Sequence, residues 1–164
     1  MDITRKATTE DLPAILDIVN YNILNSSSIY DYAERSIEVM QEWFRDKQAH
    51  HWPVIVAIKD EAVVGYGTYG TFRFKEGYKY TVEHSVYVSP HHIGKGIGKL
   101  LLAELITQAK EQGLHTMIGC IDADNKGSID FHKKFGFVES GILKQVAYKF
   151  DRWLDLQFMQ LILK

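Results

Sequence analysis

The chain has 164 residues, 46% apolar and 24% charged, with a formal net charge of −2. That balance suits one globular domain over residues 1–164 and argues against general nucleic-acid affinity, which needs a basic excess along one face. No apolar run approaches the ~20 residues of a membrane helix, the N-terminus lacks a basic-then-apolar signal pattern, and the single cysteine, Cys120, excludes an intrachain disulfide, so a cytoplasmic protein is expected.

Asp2 to Lys6 reads as a short strand. Thr8 or Thr9 caps a helix whose Leu12, Ile15, Leu16, Val19 and Ile23 recur at helical spacing, with Pro13 in the first turn, where its missing N–H costs little. Ser36 caps a second helix carrying Ile37, Met40, Trp43 and Phe44. Pro53 to Lys59 and Ala62 to Phe72 form a hairpin around Lys59-Asp60-Glu61. A strand over Tyr78–Val88, a helix over Ile97–Gln112, a strand over His115–Ile121, a helix from Lys126 to Phe135 and two C-terminal strands complete the order. The expected fold class is α/β (α+β): a mixed sheet of about seven strands flanked on both faces by about four helices.

The most specific stretch is Val86 to Gly98, where an apolar strand breaks at Ser89-Pro90 and runs through Gly94, Gly96 and Gly98 into a long helix. Glycines leave backbone N–H groups uncovered, and the helix start adds unpaired N–H groups and the positive end of its dipole, which together suit phosphate. Lys99 stands where a dinucleotide fingerprint needs glycine, and Ile93 and Leu100 break the P-loop pattern. What remains resembles motif A of the GNAT N-acetyltransferases. The resemblance covers nearly the whole chain, with Glu83 in the preceding strand, Asn125-x-x-Ser128 opening a later helix, and Phe135-Gly136-Phe137 closing it. Within that family the chain is most similar to phosphinothricin N-acetyltransferases, through Gly77-Tyr78-x-x-Thr81-x-Glu83-x-Ser85-Val86-Tyr87-Val88-Ser89-Pro90 and Trp153-x-Asp155.

The resemblance implies acetyl-CoA as cosubstrate, held by Val86, Tyr87, Val88, Ile93, Gly94, Lys95, Gly96, Ile97, Gly98, Lys99, Asn125 and Ser128. Ile93 replaces the glutamine or arginine usual in the family. Strand alternation puts Thr81, Glu83, Ser85 and Tyr87 on one face, so Glu83 keeps polar company and is the expected general base for an amine that arrives as an ammonium. His132 takes the helix position of the family's proton-donating tyrosine, and a histidine can return a proton to the departing thiolate.

For the acceptor, Arg73 offers a bidentate fork and Lys75 a point charge to an anion, with Tyr78, Tyr30 and Asn20 as further contacts. Leu154 replaces a family histidine in the C-terminal tail. Cys120, in an apolar strand, is expected to be a buried, inert thiol, and without His-x-x-x-His or Cys-x-x-Cys no metal site is expected. The expected function is direct transfer of acetyl, in a ternary complex, to the primary amine of a small anionic amino-acid-like acceptor of the phosphinothricin or methionine sulfoximine or sulfone type. The family also implies a homodimer. Two alternatives stay open: a coenzyme A-binding regulatory module without catalysis, and a protein or peptide N-terminal acetyltransferase.

Overall fold

A computed structural model describes residues 3–164, so the Asp2 end of the expected first strand lies outside the described residues. The elements run β1 (Ile3–Lys6), α1 (Leu12–Asn25), α2 (Ile37–Ala49), β2 (Val54–Lys59), β3 (Ala62–Thr71), β4 (Thr81–Val88), α3 (Ile97–Glu111), β5 (Thr116–Asp122), α4 (Lys126–Lys133), β6 (Val138–Lys149) and β7 (Arg152–Ile162). Four helices thus flank one seven-stranded sheet of order β1-β2-β3-β4-β5-β7-β6. All its pairs are antiparallel except β4 with β5.

Each face of the sheet has its own apolar layer. α1 and α2 press Leu12, Ile15, Val19, Met40 and Phe44 onto Val54, Val56 and Tyr66. α3 buries Ile97, Leu101, Leu102, Leu105 and Ala109 on the opposite face, against Ile55, Ala57, Val82 and Met117, joined by Ile129 of α4. The spacing of the α3 residues is the helical stripe visible in the sequence. Each fully buried leucine there contributes roughly 2–3 kcal/mol by removal from water.

Local chemistry sets the ends. Thr8 begins a single 3-10 turn whose Asp11 accepts the Thr8 N–H at 2.8 Å and both guanidinium nitrogens of Arg5 at 2.8 and 2.9 Å, and α1 follows. The Arg5 hydrogen bonds hold the Asp11 carboxyl below its usual range. Ser36 accepts the Val39 N–H to open α2. Some boundaries differ from expectation. Glu76–Tyr78 forms a 3-10 turn, so β4 begins at Thr81 rather than Tyr78, and α4 stops at Lys133, short of Phe135.

One topological detail positions the site. The parallel ladder between β4 and β5 contains only Thr81↔Thr116, Val82↔Met117 and Glu83↔Ile118. Beyond Glu83 the two strands diverge, while β3 and β7 continue to brace their outer edges.

Candidate active site

The gap between the diverging strands opens into a cleft of about 890 Å³, bounded by Val86, Tyr87 and Val88 of β4, by the loop and first turn of α3, and by Asn125, Ser128, Phe131 and His132. Gly94 and Gly96 take φ of 79° and 84°, conformations that side chains with a Cβ resist, and a Cβ at either would meet nothing within 4 Å. Gly96 is the N-cap of α3 with no side-chain cap, and the first helical bond is Leu100 N–H to Gly96 O. The amides of residues 97–99 therefore face outward without intrahelical acceptors. His92, at the same cleft, has a buried Nδ1 with no partner. Exposed unpaired donors in a roomy cleft fit a pyrophosphate-bearing ligand such as acetyl-CoA.

Of the residues expected here, Ile93, Gly94, Gly96, Ile97, Gly98, Lys99, Val86, Tyr87, Val88, Asn125 and Ser128 all line the cleft. Lys95 does not; its ammonium donates to the His91 carbonyl at 3.1 Å. Asn125 caps α4 by accepting the Ser128 N–H at 3.1 Å.

A second cavity, about 330 Å³, adjoins the first and is walled by Ser27, Ser28, Tyr30, Glu83, Ser85, Tyr87, Cys120, Asp122 and His132. Glu83 and Cys120 project from neighbouring strands, and the Cys120 thiol donates to Glu83 Oε1 at 3.2 Å. Cys120 is thus half-buried at the site, not sealed in an apolar core as its strand suggested. Burial, then the charge of Glu83, pushes its pKa up, while Arg73 lies near enough to oppose the shift. The thiol stays protonated and non-nucleophilic. Burial likewise raises Tyr30, and pushes Tyr87, whose hydroxyl donates to the Ser28 carbonyl at 3.3 Å, up to about 12.

His132 is buried and has a partner the sequence did not announce. Its Nδ1 lies 2.7 Å from the Ser128 carbonyl, which can only accept, so Nδ1 carries the proton and Nε2 is left as an acceptor. His84 Nε2 sits 3.0 Å away and must donate, and the rings stack at 5.0 Å between centroids. His84 Nδ1 is then a buried lone pair with no partner. Burial, and then the neighbouring His132, depresses His84 to about 3, and burial also lowers His132. Both rings are neutral at physiological pH.

The acceptor-side residues divide. Tyr30 joins the second cavity, whereas Arg73 lines none of the cavities described and packs its guanidinium 5.3 Å from the Phe72 ring. Lys75 and Tyr78 line none of the cavities described; Tyr78 is an exposed edge-on neighbour of Phe72. Asn20 instead clamps the Arg35 backbone through both its amide atoms. Leu154 is core, and Asp155 pins the β6 bulge through the Gln145 N–H at 2.8 Å. Lys47 of α2 went unremarked in the sequence, yet reaches a third cavity on the far side of Glu83. Among the described residues no group of three or more His, Cys, Asp or Glu is arranged to hold a metal, and no helix is long and apolar enough to cross a membrane.

Comparison with known proteins places this architecture. The model of the Acetyltransferase (GNAT) family matches residues 19–137. An L-methionine sulfoximine/L-methionine sulfone acetyltransferase of Pseudomonas aeruginosa is 45% identical over 96% of this chain and 92% of its own length. An N-acetyltransferase from Staphylococcus aureus Mu50 superposes with a TM-score of 0.99 at 44% identity, covering 100% of this chain and 99% of that one. A GNAT phosphinothricin acetyltransferase from Sinorhizobium meliloti, solved with acetyl-CoA, superposes with a TM-score of 0.96 at 36% identity, covering 99% of this chain and 88% of that one.

Proposed function

Because the chain belongs to the GNAT acetyltransferase family and is an N-acetyltransferase that uses acetyl-CoA, we propose that its acceptor is the primary amine of a small amino-acid-like molecule of the methionine sulfoximine, methionine sulfone or phosphinothricin type. The observation that carries this reading is Glu83: one carboxylate walls both the cavity that adjoins the cofactor cleft and a further, partly open chamber of small-molecule size. Its volume of about 410 Å³ is on the scale of a small amino-acid-like molecule.

Bound acetyl-CoA supplies an activated acyl thioester. The chain's part is to hold and to move protons. The outward amides of residues 94–99, with Lys99 and His92 nearby, bind the pyrophosphate. Glu83 takes the proton from the acceptor ammonium, directly or through water, so that the amine lone pair can attack. Cys120 steadies that carboxylate by its thiol hydrogen bond and, being protonated, forms no acyl-enzyme, which supports direct attack in a ternary complex. His132, which lines both the cofactor cleft and the adjoining cavity, is the candidate to relay a proton to the departing thiolate. In the resting pair both rings are neutral, with His132 Nδ1–H on the Ser128 carbonyl and Nε2 accepting from His84, so the proton passed on is the one the acceptor nitrogen sheds as the amide forms. Arg73, near enough to Cys120 to influence its thiol, is the candidate for an anionic group of the acceptor.

A cytoplasmic setting is in keeping with the free thiol and the cosubstrate. A homodimer is supported by β6, an edge strand that leaves Val138, Ile142, Leu143, Val146 and Tyr148 exposed.

The test is thiol release and product mass with acetyl-CoA and a panel of methionine sulfone, methionine sulfoximine, phosphinothricin, polyamines and N-terminal peptides. Acetylation of the amino-acid analogues ahead of polyamines and peptides is expected; a preference for peptides overturns the acceptor assignment.

A further inference from the structure

The third cavity, beside Glu83, is lined by Lys47 near the end of α2, by Thr68, Gly70 and Thr71 of β3, and by Glu83 and Ser85 of β4. Glu83 and Ser85 also line the cavity that adjoins the cofactor cleft, so the two spaces meet at the general base.

Lys47 enters this chamber where the chain makes room for it. Gly70 pairs directly with Glu83 across the β3–β4 ladder. A Cβ on Gly70 would stand 2.8 Å from Lys47 Nζ and 3.6 Å from the Trp52 ring, so the missing side chain is what lets the ammonium lie over the strand next to Glu83. There Nζ donates once, to the Tyr69 carbonyl at 3.1 Å. Among the described residues no carboxylate comes within ion-pair distance of it. An ammonium has three donors, and two remain for a ligand.

The chamber thus presents an anion and a cation on adjoining walls, Glu83 on β4 and Lys47 over its ladder partner Gly70. A zwitterionic α-amino acid carries the complementary pair, an ammonium and a carboxylate on one carbon. We propose that Lys47 is a specificity-determining residue that binds the acceptor's α-carboxylate, turning the α-ammonium onto Glu83 and toward the thioester. This assignment rests on the acceptor reading given above and deepens it. Burial lowers the Lys47 pKa to about 8, a cost that an incoming carboxylate would relieve.

The experiment compares the parent protein, Lys47→Met and Lys47→Arg on methionine sulfone and on its decarboxylated amine, with the KM for acetyl-CoA read in the same assays as a check that the cleft is intact. The parent should prefer the amino acid. Lys47→Met should raise KM for methionine sulfone by about 10- to 100-fold, the scale of one charge-assisted hydrogen-bonded contact, and collapse the preference over the decarboxylated amine. Lys47→Arg should restore part of that preference. If Lys47 merely sets the charge state of Glu83, Lys47→Met shifts the pH profile of kcat equally for both amines and leaves their ratio untouched; that result overturns the assignment while the acceptor reading stands. A parent that acetylates no α-amino acid overturns the acceptor reading, and the Lys47 assignment with it.

Discussion

Glu83 is held by geometry, not by a close ion pair: its thiol neighbour is Cys120, its ladder partner is the bare backbone of Gly70, and the Lys47 ammonium over Gly70 stays beyond ion-pair distance. Glu83→Gln keeps shape and hydrogen bonding but removes the base. Turnover should fall by roughly 10²- to 10⁴-fold with the acetyl-CoA KM intact, and the deficit should shrink as pH rises and more acceptor arrives deprotonated. A deficit equal at every pH would make Glu83 structural only. His84 carries a different expectation. Its folded pKa, near 3, lies below the ordinary value of about 6.5, so the unfolded chain takes up the proton first. The stability that the neutral ring contributes is complete above that ordinary value and fades as pH falls toward 3, by up to about 1.4 kcal/mol per pH unit for one proton. Urea midpoints followed from neutral to mildly acidic pH should fall more steeply for the parent than for His84→Gln; parallel slopes would refute the assignment. Glu83 was legible because strand alternation put it among polar neighbours. His84 was not, because alternation marks its position as core and cannot say that the core partner is another imidazole. Lys47 was equally hidden, since a lysine in the last turn of a helix reads as a solvated charge favourable to the dipole.

At the scale of elements, the loop into α3 is the most exacting. With φ of 84°, Gly96 could become valine only with backbone strain of order 1–3 kcal/mol, relieved by rotating the first amides of α3 out of line. Gly96→Val should weaken acetyl-CoA by at least about tenfold in calorimetry while the far-ultraviolet dichroism keeps its shape. Undiminished affinity would show that the loop does not hold the pyrophosphate. This loop and the helices around it were readable because their signals are local: glycine spacing, Ser36 as a cap, the apolar stripe of α1. The hairpin of β2 and β3 was readable too, even though its tight turn puts non-glycine Asp60 and Glu61 at φ of 49° and 65°. The start of β4 was missed because Gly77 and Tyr78 coil into a 3-10 turn that apolar alternation does not reveal. The insertion of β7 between β5 and β6 depends on pairing between distant segments, which no local pattern encodes.

For the whole molecule, the open question is what meets the β6 edge. A twelve-residue strand with one unpaired side and a row of exposed aliphatics is a hazard to a monomer unless covered. A homodimer mass is expected by light scattering at micromolar protein, and Ile142→Lys with Val146→Lys should yield a monomer. A monomer mass for the parent across that range would contradict the dimer.

The three-rung ladder between β4 and β5 has a mechanical meaning. It is the narrowest seam of the sheet, stitching β1–β4 to β5, β7 and β6, and the β5-facing backbone of β4 past Glu83 finds no strand to complete it. A ligand seated there acts as a removable splint. Occupancy and cohesion should therefore be thermodynamically linked: saturating acetyl-CoA raises the melting temperature with the logarithm of its concentration, and amide hydrogen exchange slows first along residues 84–88, before the outer strands respond.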